Sequence, residues 1–74
     1  MTTKELRAEM KAIDASITVS GLDGEFVIRF GSSSFLDPVR SACARLDLYI
    51  TATDVEGGRY NWSYKLTVVE REID

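Results

Sequence analysis

Few residues in this 74-residue chain are of types that could do chemistry. Asp23 stands two positions before Glu25, and Asp54 two before Glu56. Paired carboxylates work as general acid and base when their surroundings push their proton affinities apart. Both pairs adjoin glycine turns, Gly21 to Gly24 and Gly57-Gly58, and exposed turn acids orient nothing. Cys43 is the one thiol, and the chain has no histidine. Without histidine the usual route to a nucleophilic thiolate is missing, and so are the ligands of a Cys/His metal site. Its helical spacing with Val39 and Leu46 marks Cys43 as a core residue. Ser32-Ser33-Ser34 precedes a helix pattern, where free amides can hold an anion. It lacks the glycines and lysine of a phosphate loop, so it reads as a capping linker. Asn61-Trp62-Ser63 matches a glycosylation acceptor but falls inside a strand pattern, a chance match. No catalytic residue, metal ligand or cofactor is expected, and the chain does not read as an enzyme.

What remains is binding. Arg29, Tyr49 and Lys65 fall on the polar side of strand patterns. Exposed aromatics and cations on a sheet stack against and neutralise single-stranded nucleic acid. Tyr and Arg are equally favoured anchors of a protein interface. The plainest reading is the solvated face of an antiparallel sheet. Charge helps to choose: Lys and Arg number 9 against 12 Asp and Glu, a net charge of −3. A nucleic-acid binder usually carries a basic surplus to displace phosphate counterions. The acidic groups at Asp23, Glu25, Asp54 and Glu56 suit a basic protein partner instead, and they also serve solubility.

Several elements must position these groups. Residues 46–71 read as a long hairpin, with strands over 46–53 and 59–71 and a turn over 54–58. In its second arm Tyr60, Trp62, Tyr64, Leu66 and Val68 alternate, which gives one face a continuous apolar row. Thr2 and Glu5 have capping-box spacing, and Leu6, Met10 and Ile13 share a helix face, which predicts a helix over Thr3–Ile13 ending near Asp14. Ile17, Val19 and Leu22, then Gly21-Leu22-Asp23-Gly24, then Phe26, Ile28 and Phe30 read as a first hairpin. Leu36, Val39, Cys43 and Leu46 define a second helix with Pro38 in its first turn and either Ser34 or Asp37 as its cap. The fold expected is α+β in two layers. A four-stranded, mostly antiparallel sheet carries two helices on one face, in the order α-β-β-α-β-β. The helix crossover leaves strands two and three parallel, so the two hairpin tips point to opposite ends. On this register Thr18, Val27, Arg29, Tyr49, Thr51, Asn61, Ser63, Lys65 and Thr67 face away from the helices. The C-terminal strand is read as an open edge through which a homodimer could pair.

Size and composition bound the rest. A chain this short makes one domain, residues 1–74, and buries only about 60% of its unfolded surface, which leaves little room for a deep catalytic cavity. No apolar run approaches the roughly 20 residues of a membrane span, and the N-terminus lacks the form of a secretion signal. With one cysteine, a reducing cytoplasmic setting is expected.

The opening Thr2-Thr3-Lys4-Glu5-Leu6-Arg7-Ala8-Glu9-Met10-Lys11, followed by the Gly21-Leu22-Asp23-Gly24 hairpin, resembles small accessory proteins of bacteriophages and prophages. Compact acidic α+β chains of this size are similar to anti-CRISPR proteins and other inhibitors of host defence. The resemblance covers mainly the first 30 residues, and that group shares no common motif, so no functional residue is carried over. It implies a stoichiometric inhibitor, in the cytoplasm of an infected host, that occupies a surface of a host protein complex such as a CRISPR effector. Two functions therefore stand: a protein-binding inhibitor using Asp23, Glu25, Asp54, Glu56, Tyr49, Arg29 and Lys65, and a small nucleic-acid-binding regulator using Arg29, Tyr49 and Lys65.

Overall fold

A computed structural model describes residues 1–22, 24–57 and 62–70, Trp62 by its backbone alone. The first helix, α1 (Thr3–Ile13), begins with the expected capping box. Glu5 donates its amide to Thr2 Oγ1 at 3.1 Å, and the Thr2 amide donates to Glu5 Oε1 at 3.0 Å. The bond from the Thr2 amide, together with one from the Thr2 side chain, holds the Glu5 carboxyl below its ordinary pKa. Leu6 and Met10 are fully buried one turn apart, and Asp14 closes the helix in extended conformation.

Strands β1 (Thr18–Leu22) and β2 (Glu25–Phe30) follow, then a 3-10 turn at Ser33–Phe35, helix α2 (Leu36–Arg45), and strands β3 (Leu48–Gly57) and β4 (Trp62–Glu70). The sheet order is β1-β2-β4-β3, and every neighbouring pair is antiparallel. Strands β2 and β3 thus run parallel with β4 between them, and the hairpin tips lie at opposite ends as expected. Both helices pack on one face. Leu6 and Met10 of α1 and Val39, Ala42 and Cys43 of α2 share a core with Val19, Phe26, Ile28, Leu48, Leu66 and Val68 of the sheet. Arg45 Nη2 lies 3.1 Å from Glu9 Oε1 and ties the two helices together on their outer side. Phe30 closes one end of the core, stacked on Tyr64 with ring centres 5.5 Å apart and edge-on to Phe35 at 6.3 Å. Leu66 and Val68 bear out the inner part of the apolar row, and Tyr64 packs beside them. Tyr60 and the Trp62 side chain lie outside the described residues.

Four expectations change. Gly21 and Leu22 belong to β1 rather than to the turn, so Leu22 ends on the strand. Neither Ser34 nor Asp37 caps α2. Ser32 accepts from the Ser34 amide and starts the 3-10 turn, and α2 continues from Phe35 without a side-chain cap. Strand β4 is interior, so the sheet edges are β1 and β3. Residues 54–57 are strand, not turn, and β3 changes register at Thr51.

That last change matters most. A bulge adds one residue to its strand and shifts which face the following side chains occupy. Ile50 pairs with Val68 and Ala52 with Thr67, leaving Thr51 as the extra residue. Beyond it Ala52, Asp54 and Glu56 pair with Thr67, Lys65 and Ser63, on the face away from the helices. The chain measures 42 × 23 × 20 Å. A ten-residue strand spans about 33 Å, and residues 51–57 of β3 are all exposed, so the far half of this hairpin extends past the helices.

Candidate binding surface

The register divides the uncovered sheet face into two ends. At one, Thr18, Arg29, Lys65 and Asp54 form a row across all four strands, with Glu56 and Ser63 beside it. Glu56 reaches over β4: its Oε1 lies 3.5 Å from Lys65 Nζ and its Oε2 4.0 Å from Arg29 Nε. Pairs this exposed contribute at most about 1 kcal/mol each to stability. Their consequence is electrostatic, because two cations and two carboxylates share one patch that carries no net charge.

At the other end, Leu22, Glu25, Val69 and Tyr49 form the matching row, with Val27 alongside. Leu22 is 82% exposed and Tyr49 53%. Gly21, Leu22, Glu25 and Val27 line an open depression of about 240 Å³. Thr67 and Ser20 occupy the middle, and Thr51 Oγ1 donates to the Thr67 carbonyl at 3.2 Å.

The expected site residues are therefore regrouped. Arg29 and Lys65 come together, as anticipated, but Tyr49 does not join them. Its partner Val69 lies four residues along β4 from Lys65, about 13 Å at the usual strand rise. Asp54 and Glu56, expected as an acidic tip apart from the cations, stand among them. Glu25 stands within the apolar end, between Leu22 and Val69. Asp23 lies outside the described residues, and so does Asn61. Sequence reasoning placed Val27 and Tyr49 on this face but did not join Leu22 and Val69 to them as a cluster. The signal was present: Val27 and Val69 are apolar residues at positions that the alternation assigns to the polar face.

Among the described residues no three or more of His, Cys, Asp and Glu are grouped to hold a metal ion. No helix among them is long and apolar enough to cross a membrane. Cys43 is 1% exposed, and burial pushes its thiol up from 9.0 to about 11. The neutral thiol is the form the core accepts. Because the folded pKa is the raised one, this contribution to stability is complete below pH 9 and is lost as the pH rises towards 11. Cys43→Ala should flatten that part of the stability profile relative to the parent, as measured by urea unfolding across the window. In native buffer at pH 8 the thiol should resist alkylation and react only on unfolding; rapid labelling of folded protein would contradict its placement.

No family model matches the chain, and no curated protein and no solved structure shows significant similarity to it.

Proposed function

We propose that this chain is a non-catalytic protein-binding module, acting as an inhibitor that occupies a functional surface of a host protein complex. The observation that carries the reading is the uncovered sheet face, with Leu22, Val27, Tyr49 and Val69 gathered at one end. A solvated antiparallel face alternates towards polar side chains. An exposed Leu and Tyr with two valines between them, and one carboxylate set among them in the row, offer apolar anchors beside a polar group, as interfaces do. The Glu25 carboxylate among them suits a basic partner surface, such as one that binds DNA. The resemblance of the opening segment to anti-CRISPR proteins supplies the specific version, in which the target is a CRISPR effector.

The nucleic-acid alternative loses its main support. A stacking platform needs free cations beside its aromatics, whereas Arg29 and Lys65 face Glu56 and Tyr49 stands apart from both. Fluorescence anisotropy with single-stranded and duplex oligonucleotides at low salt should show no binding. Saturable binding that weakens in Arg29→Ala and Lys65→Ala would favour the regulator instead.

The inhibitor reading is tested in a host whose CRISPR immunity restricts a phage. Expression of the chain should restore plating. Leu22→Ser with Tyr49→Ala should weaken binding to the purified effector by at least about 30-fold, the scale of losing a hot-spot residue, with the unfolding midpoint little changed. Continued restriction with folded protein present would remove the anti-CRISPR version. Effector binding indifferent to both substitutions would remove the assignment to this face.

A further inference from the structure

The two edges of the sheet are finished differently. Along β1, helix α1 supplies donors to the outward carbonyls. Thr3 Oγ1 donates to Gly21 O at 3.3 Å, Arg7 Nη2 to Val19 O at 3.2 Å, and Lys11 Nζ to Ile17 O at 3.4 Å and Ala15 O at 2.8 Å. The match follows from two repeats. Four residues of helix advance about 6 Å and two residues of strand about 6.6 Å, so side chains at every fourth helix position meet every second carbonyl of a strand running the other way. The edge carbonyls that would accept from another strand are already used.

Strand β3 has no such cover. Among the described residues its ladder partner is β4, and none of them pairs along its other side. Helix α2 covers the core side of Leu48 and Ile50, while residues 51–57 are exposed throughout. A second copy of the chain makes a poor occupant. Antiparallel self-pairing centred on Asp54 sets that carboxylate against its own copy. Centring on Val55 sets Asp54 against Glu56, and centring on Glu56 sets Glu56 against itself. Centring on Thr53 takes Glu56 across the Thr51 bulge, where the ladder is broken. Like charges directly opposite are destabilising. Asp54 makes no ion pair among the described residues, so a cation from outside has a place beside it.

We propose that the β3 edge over residues 52–57 accepts an extended strand from a different protein, one that alternates Lys or Arg with β-branched or other apolar side chains. The backbone ladder supplies the attraction, as in other strand-addition complexes. Cationic side chains of the guest lie beside Asp54 and Glu56 on the open face. Its apolar ones lie beside Val55, which is 55% exposed on the helix side of the arm. This site needs neither the Leu22 end of the sheet nor a host-defence target, and so stands or falls apart from the function proposed above.

The test uses the full chain, isotope-labelled, with two capped hexapeptides: one alternating Val and Lys, the other Val and Glu. At millimolar Val-Lys peptide, hydrogen exchange of alternate amides in 52–57 should slow, with chemical-shift changes centred on β3. The Val-Glu peptide should do neither. Asp54→Lys should weaken the Val-Lys peptide by about fivefold, the scale of reversing one cross-strand charge pair, and should admit the Val-Glu peptide. Three results overturn the proposal: no change with the Val-Lys peptide, equal protection by both peptides, or shift changes confined to Leu22 and Tyr49. Sedimentation showing a dimer with 52–57 already protected in the absence of peptide also overturns it, because a second copy is then the occupant.

Discussion

Phe26→Ala is expected to lower the free energy of unfolding by about 3–5 kcal/mol, the range for emptying a buried aromatic site. A 74-residue domain has a total of roughly 4–11 kcal/mol to lose. Among the described residues Phe26 is the largest fully buried side chain, and it sits on β2, which has partners on both sides. Its cross-strand neighbours are Gly21 and Val68. Gly21 has no side chain with which to fill the space, and Val68 is held between β2 and β3, so the cavity cannot easily collapse. Urea unfolding followed by circular dichroism should show the midpoint falling steeply, with a measurable unfolded fraction in plain buffer. A loss under about 1 kcal/mol would mean that the site closes on itself, and would contradict the rigid centre described for this core.

How much of this was legible beforehand depends on which signal each residue carried. Helix α1 was read to its ends because Thr2 and Glu5 state its start and Asp14 breaks its period. Helix α2 followed from Leu36, Val39 and Cys43, and the two-layer α+β arrangement from the need to cover Phe26, Ile28, Leu66 and Val68. The bulge at Thr51 carried no comparable signal. Thr51, Ala52 and Thr53 suit either face of a strand, so an unbroken alternation and a shifted one read alike. With the shift invisible, Asp54 and Glu56 passed for turn residues, aided by Gly57-Gly58 after them. The neutralised cluster with Arg29 and Lys65 was therefore not foreseen. Strand order is hidden for a related reason: β4 carries the apolar row of an interior strand, but a strand that is last in the chain reads equally well as an edge. The α1 donors were individually visible as Thr3, Arg7 and Lys11. Their role depends on α1 and β1 running in opposite directions at matched spacing, which only the folded chain displays.

The register shift also explains why the uncovered face is uneven. Had β3 continued its alternation, Thr53 and Val55 would have joined Tyr49 there, and Asp54 and Glu56 would have faced the helix side. Arg29 and Lys65 would then have formed an unopposed cationic patch next to a longer apolar strip. The extra residue exchanges that arrangement for a neutral polar end and an apolar end. Under the proposed function, recognition by the face rests on shape and apolar contact around Leu22 and Tyr49 more than on net charge. That is a fair basis for protein binding and a poor one for phosphate binding.

Gly21→Ala should act on the fold and on that apolar end together. Gly21 has φ +115, a conformation that L side chains rarely adopt, and a Cβ placed there would stand 2.5 Å from the Glu25 carbonyl oxygen and 3.1 Å from the Phe26 Cα. Both are backbone atoms, so no side-chain rotation relieves the contact. Backbone strain of this kind costs about 1–3 kcal/mol. Adding a clash within the ladder, the expected loss is about 3–4 kcal/mol, measured as the shift in the urea midpoint at constant slope. Relief requires β1 to move from Glu25, which opens the depression between Leu22 and Val27 and strains the bond from the Glu70 amide to Gly24 O, now 3.0 Å. Amide shifts should therefore change at Glu25, Val27 and Glu70 but little at Cys43. Because Gly21 and Phe26 face each other, the double variant with Phe26→Ala should lose less than the sum of the two. The emptied aromatic site gives β2 room to yield to the new methyl group. A fully additive pair, or a Gly21→Ala protein as stable as the parent, would show that this turn of the sheet does not hold the strands as close as described.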